Sequence, residues 1–451
     1  MHPKYMKHCR VCGNTEITEV IDLGEQFLQG SFVKKGHLMP PRRKLPTRLV
    51  RCDVTKNDSA CGLLQMAHTY PPEVLYANYW YRSGVNSTMQ KHLHGIADEL
   101  VLMAPPKNSP LTVLDIGCND GTLLRRFPAG TRLFGVDPSD IARGIGDDVT
   151  LVNTVFPSRQ AMALLSEERF DIITSIAMYY DLEDPVGFAA AIRSLLTDTG
   201  IWCLEMSYMP LMLLQNAFDT ICHEHLEYYS LAVLEQIMAK AHLRVFKVDL
   251  NSINGGSICC YVCREENATL GSTRDKDDLR ALRLAEFNMR LDTDYPYDEF
   301  QRRIEKLKTQ TRNLMHGLLA QRSRVHIYGA STKGNVLLQW YGLDRAFIEA
   351  AADRNPEKDG AFTLGTDIPI ISEEKSRAAK PDYYLVLPWH FKAEFLRREE
   401  AAIKGGASFI FPLPELHIVD ASNWEQAARA AQGGTDLCSL QAFVAAAAAL
   451  E

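Results

Sequence analysis

Val113-Leu114-Asp115-Ile116-Gly117-Cys118-Asn119-Asp120-Gly121 reads as a buried strand running into a glycine loop and then a helix. Gly117 permits the tight turn, and Gly121 lets the next helix begin close to a ligand. The glycines are spaced G-x3-G. A dinucleotide loop uses G-x-G-x2-G, which seats a pyrophosphate on the helix N-terminus. A second apolar strand, Leu133-Phe134-Gly135-Val136-Asp137, ends in an acid 22 residues after Asp115. A carboxylate at that strand end can accept both hydroxyls of a ribose. The two strand ends together are a specific signal for a nucleoside site, with Asp115, Gly117, Asn119, Gly121 and Asp137 as the cofactor residues. NAD is the main rival, since the sheet logic is similar. The phosphate-cradling spacing is absent, however, and no hydride-transfer residues stand out elsewhere.

Outward from this loop, short apolar runs alternate with helical patterns. The runs Leu111–Ile116, Arg132–Val136, Phe170–Ser175 and Gly200–Glu205 predict βαβ units and a mostly parallel sheet, which Ser257–Cys263 can finish. Upstream, Met89, His92, Leu93, Ile96, Leu100 and Val101 recur at helical spacing, before a loop at Ala104–Pro110. Downstream, a charged helix-favouring stretch, Ser272–Leu319, separates this block from a second βαβ-like series. That series contains Arg324–Gly329, Phe347–Ala352, Tyr383–Pro388 and Ser408–Phe411. Beyond Trp424 the chain looks helical and then Ala-rich, with a frayed end expected.

Residues 1–75 show no long periodic segment but carry Cys9-Arg10-Val11-Cys12, a C-x2-C knuckle, and later Cys52 and Cys61. Zinc takes four soft ligands in a tetrahedron, and a C-x2-C turn presents two thiolates at once. Eight residues separate Cys52 from Cys61, more than usual, so the polar stretch Asp53–Ala60 reads as an insertion that leaves the ligands in place. Four unrelated reduced thiols are the alternative. Four cysteines leave no open coordination position, so Zn(2+) here is expected to be structural.

A net charge of -7 argues against a nucleic-acid partner held by a basic face. No run of about 18 apolar residues offers a membrane span. The front of the chain has no signal-peptide core, and the eleven cysteines form an odd count. These features predict a cytoplasmic protein with reduced thiols acting on a small molecule. The oligomeric state is not legible.

Phe218-Asp219-Thr220-Ile221-Cys222-His223-Glu224-His225-Leu226-Glu227-Tyr228-Tyr229-Ser230 is the densest chemical segment. Two histidines flank a glutamate, which suits a general base oriented by a carboxylate. The spacing is not the H-E-x2-H of a metalloprotease helix. A polar loop with structural hydrogen bonds is the other reading of these residues.

The whole chain resembles the three-domain nucleotide-sugar C-methyltransferases of deoxysugar biosynthesis, over roughly residues 8–420. The resemblance rests on the N-terminal cysteines, Tyr79–Gly84, the Asp115–Gly121 loop, Phe218–Tyr229 and Asn254-Gly255-Gly256-Ser257. It continues through Gly329–Asn335, Asp353-Arg354-Asn355-Pro356 and Leu387-Pro388-Trp389. It implies an α/β protein: a class I methyltransferase Rossmann-like domain (76–265), flanked by a small zinc-binding domain (1–75) and a second Rossmann-like domain (266–420), with a helical, Ala-rich tail (421–451). The implied cofactor is S-adenosylmethionine, with Asp115 at its methionine moiety. The implied substrate is a sugar nucleotide.

In that family a histidine at the His225 position removes a proton next to a ketone, giving an enolate that attacks the methyl group. Glu224 is then a binding or acid/base partner. Tyr81, or alternatively Tyr79, reaches the sugar, and Lys333 meets the diphosphate. His223 is a further substrate candidate. Two departures bear on which substrate is taken. Cys222 stands where members acting on amino-keto sugars tend to carry tyrosine, and Asp181 aligns with a histidine. Methylation of a hydroxyl oxygen by the same base, and a non-catalytic scaffold that keeps the fold, are the alternative functions.

Overall fold

The computed structural model describes residues 3–37, 39–71, 75, 82–433 and 437–449. Tyr79 and Tyr81 lie outside the described residues. At the centre is a seven-stranded sheet with the order Thr150–Val152, Arg132–Val136, Thr112–Ile116, Phe170–Ile176, Leu196–Ser207, Ser257–Arg264, Leu243–Asn251. The first five strands are parallel, and Ser257–Arg264 runs antiparallel to both its neighbours. Every residue of Thr112–Ile116 is buried, as expected of a central parallel strand covered on both faces. The strand order reverses beside it, so a crevice opens at the carboxyl ends, where Asp115 stands level with Gly135 and Thr174. This is the class I methyltransferase topology. The periodic reading found its parallel strands but missed Thr150–Val152 and Leu243–Asn251, the two outer ones.

The second α/β sheet has the order Ile370–Ser372, Ala350–Asp353, Val325–Tyr328, Tyr383–Val386, Ser408–Phe411, His417–Val419. All its pairings are parallel except the last. Between the two sheets, helix Thr273–Asn288 packs on the outer strand Leu243–Asn251 of the first. The long helix Tyr295–Ala320 reaches both the front domain and helix Thr332–Tyr341 of the second. The Ala-rich tail is helical through Ala448, while Leu450 and Glu451 lie outside the described residues. Its helix Leu440–Ala448 lies back on Thr273–Asn288, with Phe443 fully buried and 5.5 Å from the Tyr208 ring. Small alanines let two helices approach closely, which accounts for a sequence that looked featureless.

The front domain, where no periodicity stood out, contains an antiparallel sheet: Ile17–Gln26, Leu45–Cys52, Leu64–Met66 and then Glu227–Tyr228. That last strand belongs to the histidine segment, pairing Glu227 with Gln65 and Tyr228 with Leu64. Arg10, in the cysteine knuckle, donates to Met66 O at 3.2 Å and stands 3.5 Å from the buried Glu227 carboxylate. The knuckle is thereby tied to the same edge.

All four cysteine sulfurs, Cys9, Cys12, Cys52 and Cys61, lie within 4.8 Å of one another. Cys9 to Cys61 and Cys12 to Cys52 are both 3.4 Å, too long for disulfides. A zinc–sulfur tetrahedron has edges of about 3.8 Å, so the set fits the ion. Val11 N–H points at Cys9 Sγ (3.4 Å) and the Asn14 amide at Cys52 Sγ (3.5 Å), the donors that thiolate ligands usually attract. The Asp53–Ala60 insertion folds into turns on Asp53 O and the Asp53 carboxylate without displacing the ligands. The purified protein is expected to carry one zinc per chain by elemental analysis. Chelation, or Cys52→Ser, should abolish activity together with the front-domain near-ultraviolet signal, because the histidine segment forms that sheet's edge.

Candidate active site

The glycine loop has the backbone its residues require. Gly117 and Gly121 sit at φ of 79° and 75°, and a Cβ on Gly121 would fall 2.6 Å from Ile145. Its N–H groups are turned inward. Gly117 N donates to Val136 O at 2.8 Å, Gly121 N to Cys118 O at 2.9 Å, and Asn119 N to Asp137 Oδ2 at 2.9 Å. A loop that spends its amides this way cannot cradle a pyrophosphate, which settles the contest with NAD on physical grounds. Asp137 also accepts Ser139 N through Oδ1 at 2.7 Å. Each of its oxygens is thus anchored and keeps a lone pair for a ribose hydroxyl. Asp115, 4 % exposed, accepts Thr174 Oγ1 at 2.7 Å. Burial, with a smaller contribution from the Asp137 charge, pushes its carboxyl up to about 7. Two oriented carboxyl groups over an amide-poor loop fit the ribose and the ammonium group of S-adenosylmethionine. Ser83 N and Gly84 N donate to Asn119 Oδ1 (3.1 Å) and Asp120 Oδ2 (2.8 Å). They lay the segment that follows Tyr81 over the loop.

The histidine segment attaches beyond the carboxyl end of strand Phe170–Ile176, where Leu226 N donates to Tyr180 O at 2.7 Å. His225 Nδ1 lies 2.8 Å from Thr220 O. A carbonyl only accepts, so the ring proton sits on Nδ1 and Nε2 carries the free lone pair. Burial, helped by the nearby Lys333 charge, pushes the imidazole down to about 3, so it is neutral. The Tyr180 ring lies 4.1 Å from it, centroid to centroid. Glu224 packs on Gly30 of the front domain, where a Cβ would stand 2.0 Å from Oε1. A side chain at Gly30 would have to push the Glu224 carboxyl aside. Burial pushes the Glu224 carboxyl up, and Oε2 has no hydrogen-bond partner. Cys222 is fully buried and burial pushes its thiol well up, which makes it inert as a nucleophile. Asp181, in the turn Tyr179–Asp181, is near enough for its charge to be felt at Cys222 and Tyr228.

His223 points the other way. Its Nε2 meets Thr47 Oγ1 at 3.1 Å, its ring meets Tyr70 edge-on at 5.0 Å, and it has no exposed surface. The geometry makes it a packing residue of the front domain. Lys333 comes from the second α/β domain, donates to Asn254 O, and has the Asp219 carboxylate as its nearest opposing charge. Sequence reasoning gave no role to Gly30, Asp219, Tyr180 or Trp389. Only Trp389 and Asp219 left a trace, inside motifs quoted for other reasons.

Comparison with known proteins bears on the acceptor. A zinc binding domain model matches residues 9–76, a methyltransferase domain model 88–248, and a C-methyltransferase C-terminal domain model 252–414. The chain belongs to the three-domain C-methyltransferases. It is an S-adenosylmethionine-dependent enzyme. The C-methyltransferase NovU of Streptomyces niveus is 29% identical over 420 residues, covering 92% of this chain and 97% of NovU. Among solved structures, magnesium protoporphyrin IX methyltransferase from Synechocystis PCC 6803 matches at 16% identity and a TM-score of 0.31, covering 40% of this C-methyltransferase and 88% of that chain. The CcbJ methyltransferase of Streptomyces caelestis matches at 13% identity and a TM-score of 0.31, covering 38% and 88%. The fold assignment rests on strand order and not on these partial overlays.

Because Asp115 is uncharged below about 7 and the cofactor's amino-acid end presents an ammonium group, the affinity for S-adenosylmethionine should rise from pH 6 to pH 8. Titration calorimetry of the wild type against Asp115→Asn checks this. The variant should bind more weakly and show a flatter pH dependence.

Proposed function

We propose that this enzyme methylates the carbon next to the keto group of a nucleotide-linked deoxysugar, with His225 as the general base. The observation that carries the reading is the Nδ1 to Thr220 O bond of 2.8 Å, which leaves Nε2 bare in a buried, neutral imidazole. The match to a C-methyltransferase C-terminal domain over residues 252–414 and the likeness to NovU support carbon over oxygen as the acceptor.

S-adenosylmethionine supplies an electrophilic methyl group and departs as S-adenosylhomocysteine. The chain's own residues handle the proton and the negative charge. Nε2 of His225 takes the proton from the carbon beside the ketone, and the C–H electron pair becomes the enolate that attacks the methyl carbon. Burial, and after it the Lys333 charge that Asp219 only partly offsets, keeps His225 a weak base. An anionic sugar nucleotide at Lys333 offsets that charge, so substrate binding itself raises the basicity of the imidazole. Glu224, its carboxyl pushed up by burial, is assigned to the sugar as a binding or acid/base partner. Tyr81, or Tyr79, is assigned to the sugar as well. Cys222 and Asp181 line this neighbourhood in place of a phenol and an imidazole, and they adapt it to a sugar other than the amino-keto type. Among the described residues no helix is long and apolar enough to cross a membrane, and the reaction is assigned to the cytoplasm.

His225→Ala should retain S-adenosylmethionine binding and lose two or more orders of magnitude in kcat, the scale of a lost general base. Without methyl donor, the wild type in deuterium oxide should exchange the proton beside the ketone, and His225→Ala should not. An ether product with no exchange would replace carbon by oxygen methylation. Since the imidazole lies near 3, protonation of His225 should impose no acid limb on kcat/KM between pH 8 and pH 5.

A further inference from the structure

The short turn Phe218–Thr220 precedes the histidine segment, and each of its three residues has a separate attachment. Phe218 packs its ring against Trp340 at 4.7 Å and Tyr341 at 5.5 Å, on helix Thr332–Tyr341 of the second α/β domain. Asp219, 1 % exposed, accepts the indole N–H of Trp389 through Oδ2 at 2.9 Å, while Oδ1 has no hydrogen-bond partner. Thr220 turns its carbonyl to Nδ1 of His225. The turn therefore joins the second α/β domain on one side to the imidazole on the other.

Trp389 begins the turn after strand Tyr383–Val386, at the carboxyl edge of the second sheet. Its ring lies flush on Gly255, at φ of 84°, where a Cβ would approach to 3.1 Å. The preceding residue, Asn254, receives the Lys333 ammonium. Two side chains of the second domain thus land on one small patch of the cofactor domain. An aspartate in such a place costs desolvation free energy, and a neutral side chain would suffice if the patch only packed two domains together. A carboxylate that faces an indole N–H and an ammonium is better explained by what it fixes.

We infer that Asp219 is a positioning residue that, clamped by Trp389, makes the orientation of His225 depend on the docked second α/β domain. The inference rests on His225 being the base. Held by the turn, Thr220 O keeps the imidazole in the tautomer with a bare Nε2. Released, the carbonyl drifts and the ring can carry its proton on either nitrogen. The charged and titratable groups around Asp219 are Lys333 and, from the adjoining helix, Tyr341. Beyond Lys333 stand His225, His390 and Cys222. Asp219 is the acid that offsets the Lys333 ammonium, so its charge also limits how far that ammonium depresses His225.

The test uses full-length, zinc-loaded enzyme. Trp389→Phe keeps a ring on Gly255 and removes the N–H, whereas Asp219→Asn keeps the size and removes the charge. Both should lower kcat by about 10- to 100-fold, the scale of a misplaced catalytic group, with the KM for S-adenosylmethionine and the zinc content unchanged. Selective 15N-histidine spectra, with the His225 signals identified by their loss in His225→Ala, should show a single Nδ1–H tautomer in the wild type and a mixture in Trp389→Phe. In Asp219→Asn the Lys333 ammonium loses its counter-ion and its pKa falls, so a new basic limb should enter the kcat/KM profile. A wild-type tautomer and pH profile in both variants, with kcat lost only in proportion to the folded fraction, would overturn the inference. An active His225→Ala would instead overturn the assignment of the base.

Discussion

The chemistry of this enzyme depends on a backbone pairing between segments far apart in the chain. The histidine segment, Cys222–Tyr229, has no sheet of its own domain to complete, and buried N–H and C=O groups must find partners. It finds them in the front domain and at the rim of the cofactor sheet. Glu227 and Tyr228 join the zinc domain as an edge strand, Met66 N donates to Leu226 O at 2.8 Å, and Leu226 N donates to Tyr180 O at 2.7 Å. His225 is thus positioned by its neighbours on both sides, and a metal in the knuckle would stiffen the sheet that its segment completes.

Burial around that pairing sets which groups are charged. Four ionisable side chains come close together there from two domains: Asp219, Glu224, His225 and Lys333. Desolvation drives each toward neutrality, raising the acids and lowering the bases. Asp219 and Lys333 partly resist through each other.

Much of this architecture was legible from local patterns. The strands of the cofactor sheet showed themselves because central parallel strands are apolar on both faces. The glycine loop and Asp137 did so because a ribose site needs them at fixed strand ends. The four cysteines were legible as a set despite the Asp53–Ala60 insertion, since sulfur chemistry tolerates extra loop. What stayed hidden was tertiary. The strands of the front sheet are short or bulged and lack a clean alternation. Nothing in Glu227–Tyr228 marks it as the property of another domain. Gly30 has no local signature, because its reason is a carboxylate nearly two hundred positions away. His223 and His225 look equivalent in the sequence, and only the fold turns one ring into a core and the other into a pocket.

The edge strand Glu227–Tyr228 also carries a consequence for how the protein is made. The zinc domain is translated first and has all four of its metal ligands by Cys61, yet its sheet stays one strand short until most of the cofactor domain has left the ribosome. Pairing across so long a stretch of chain is slow to close. Until it does, the backbone groups of Leu64–Met66 stand open as an unprotected sheet edge, the kind that recruits wrong partners. The nascent chain thus passes through an interval in which a metal-loaded but unsealed front domain waits for residues near 227. Its exposure to misassembly is concentrated in that interval.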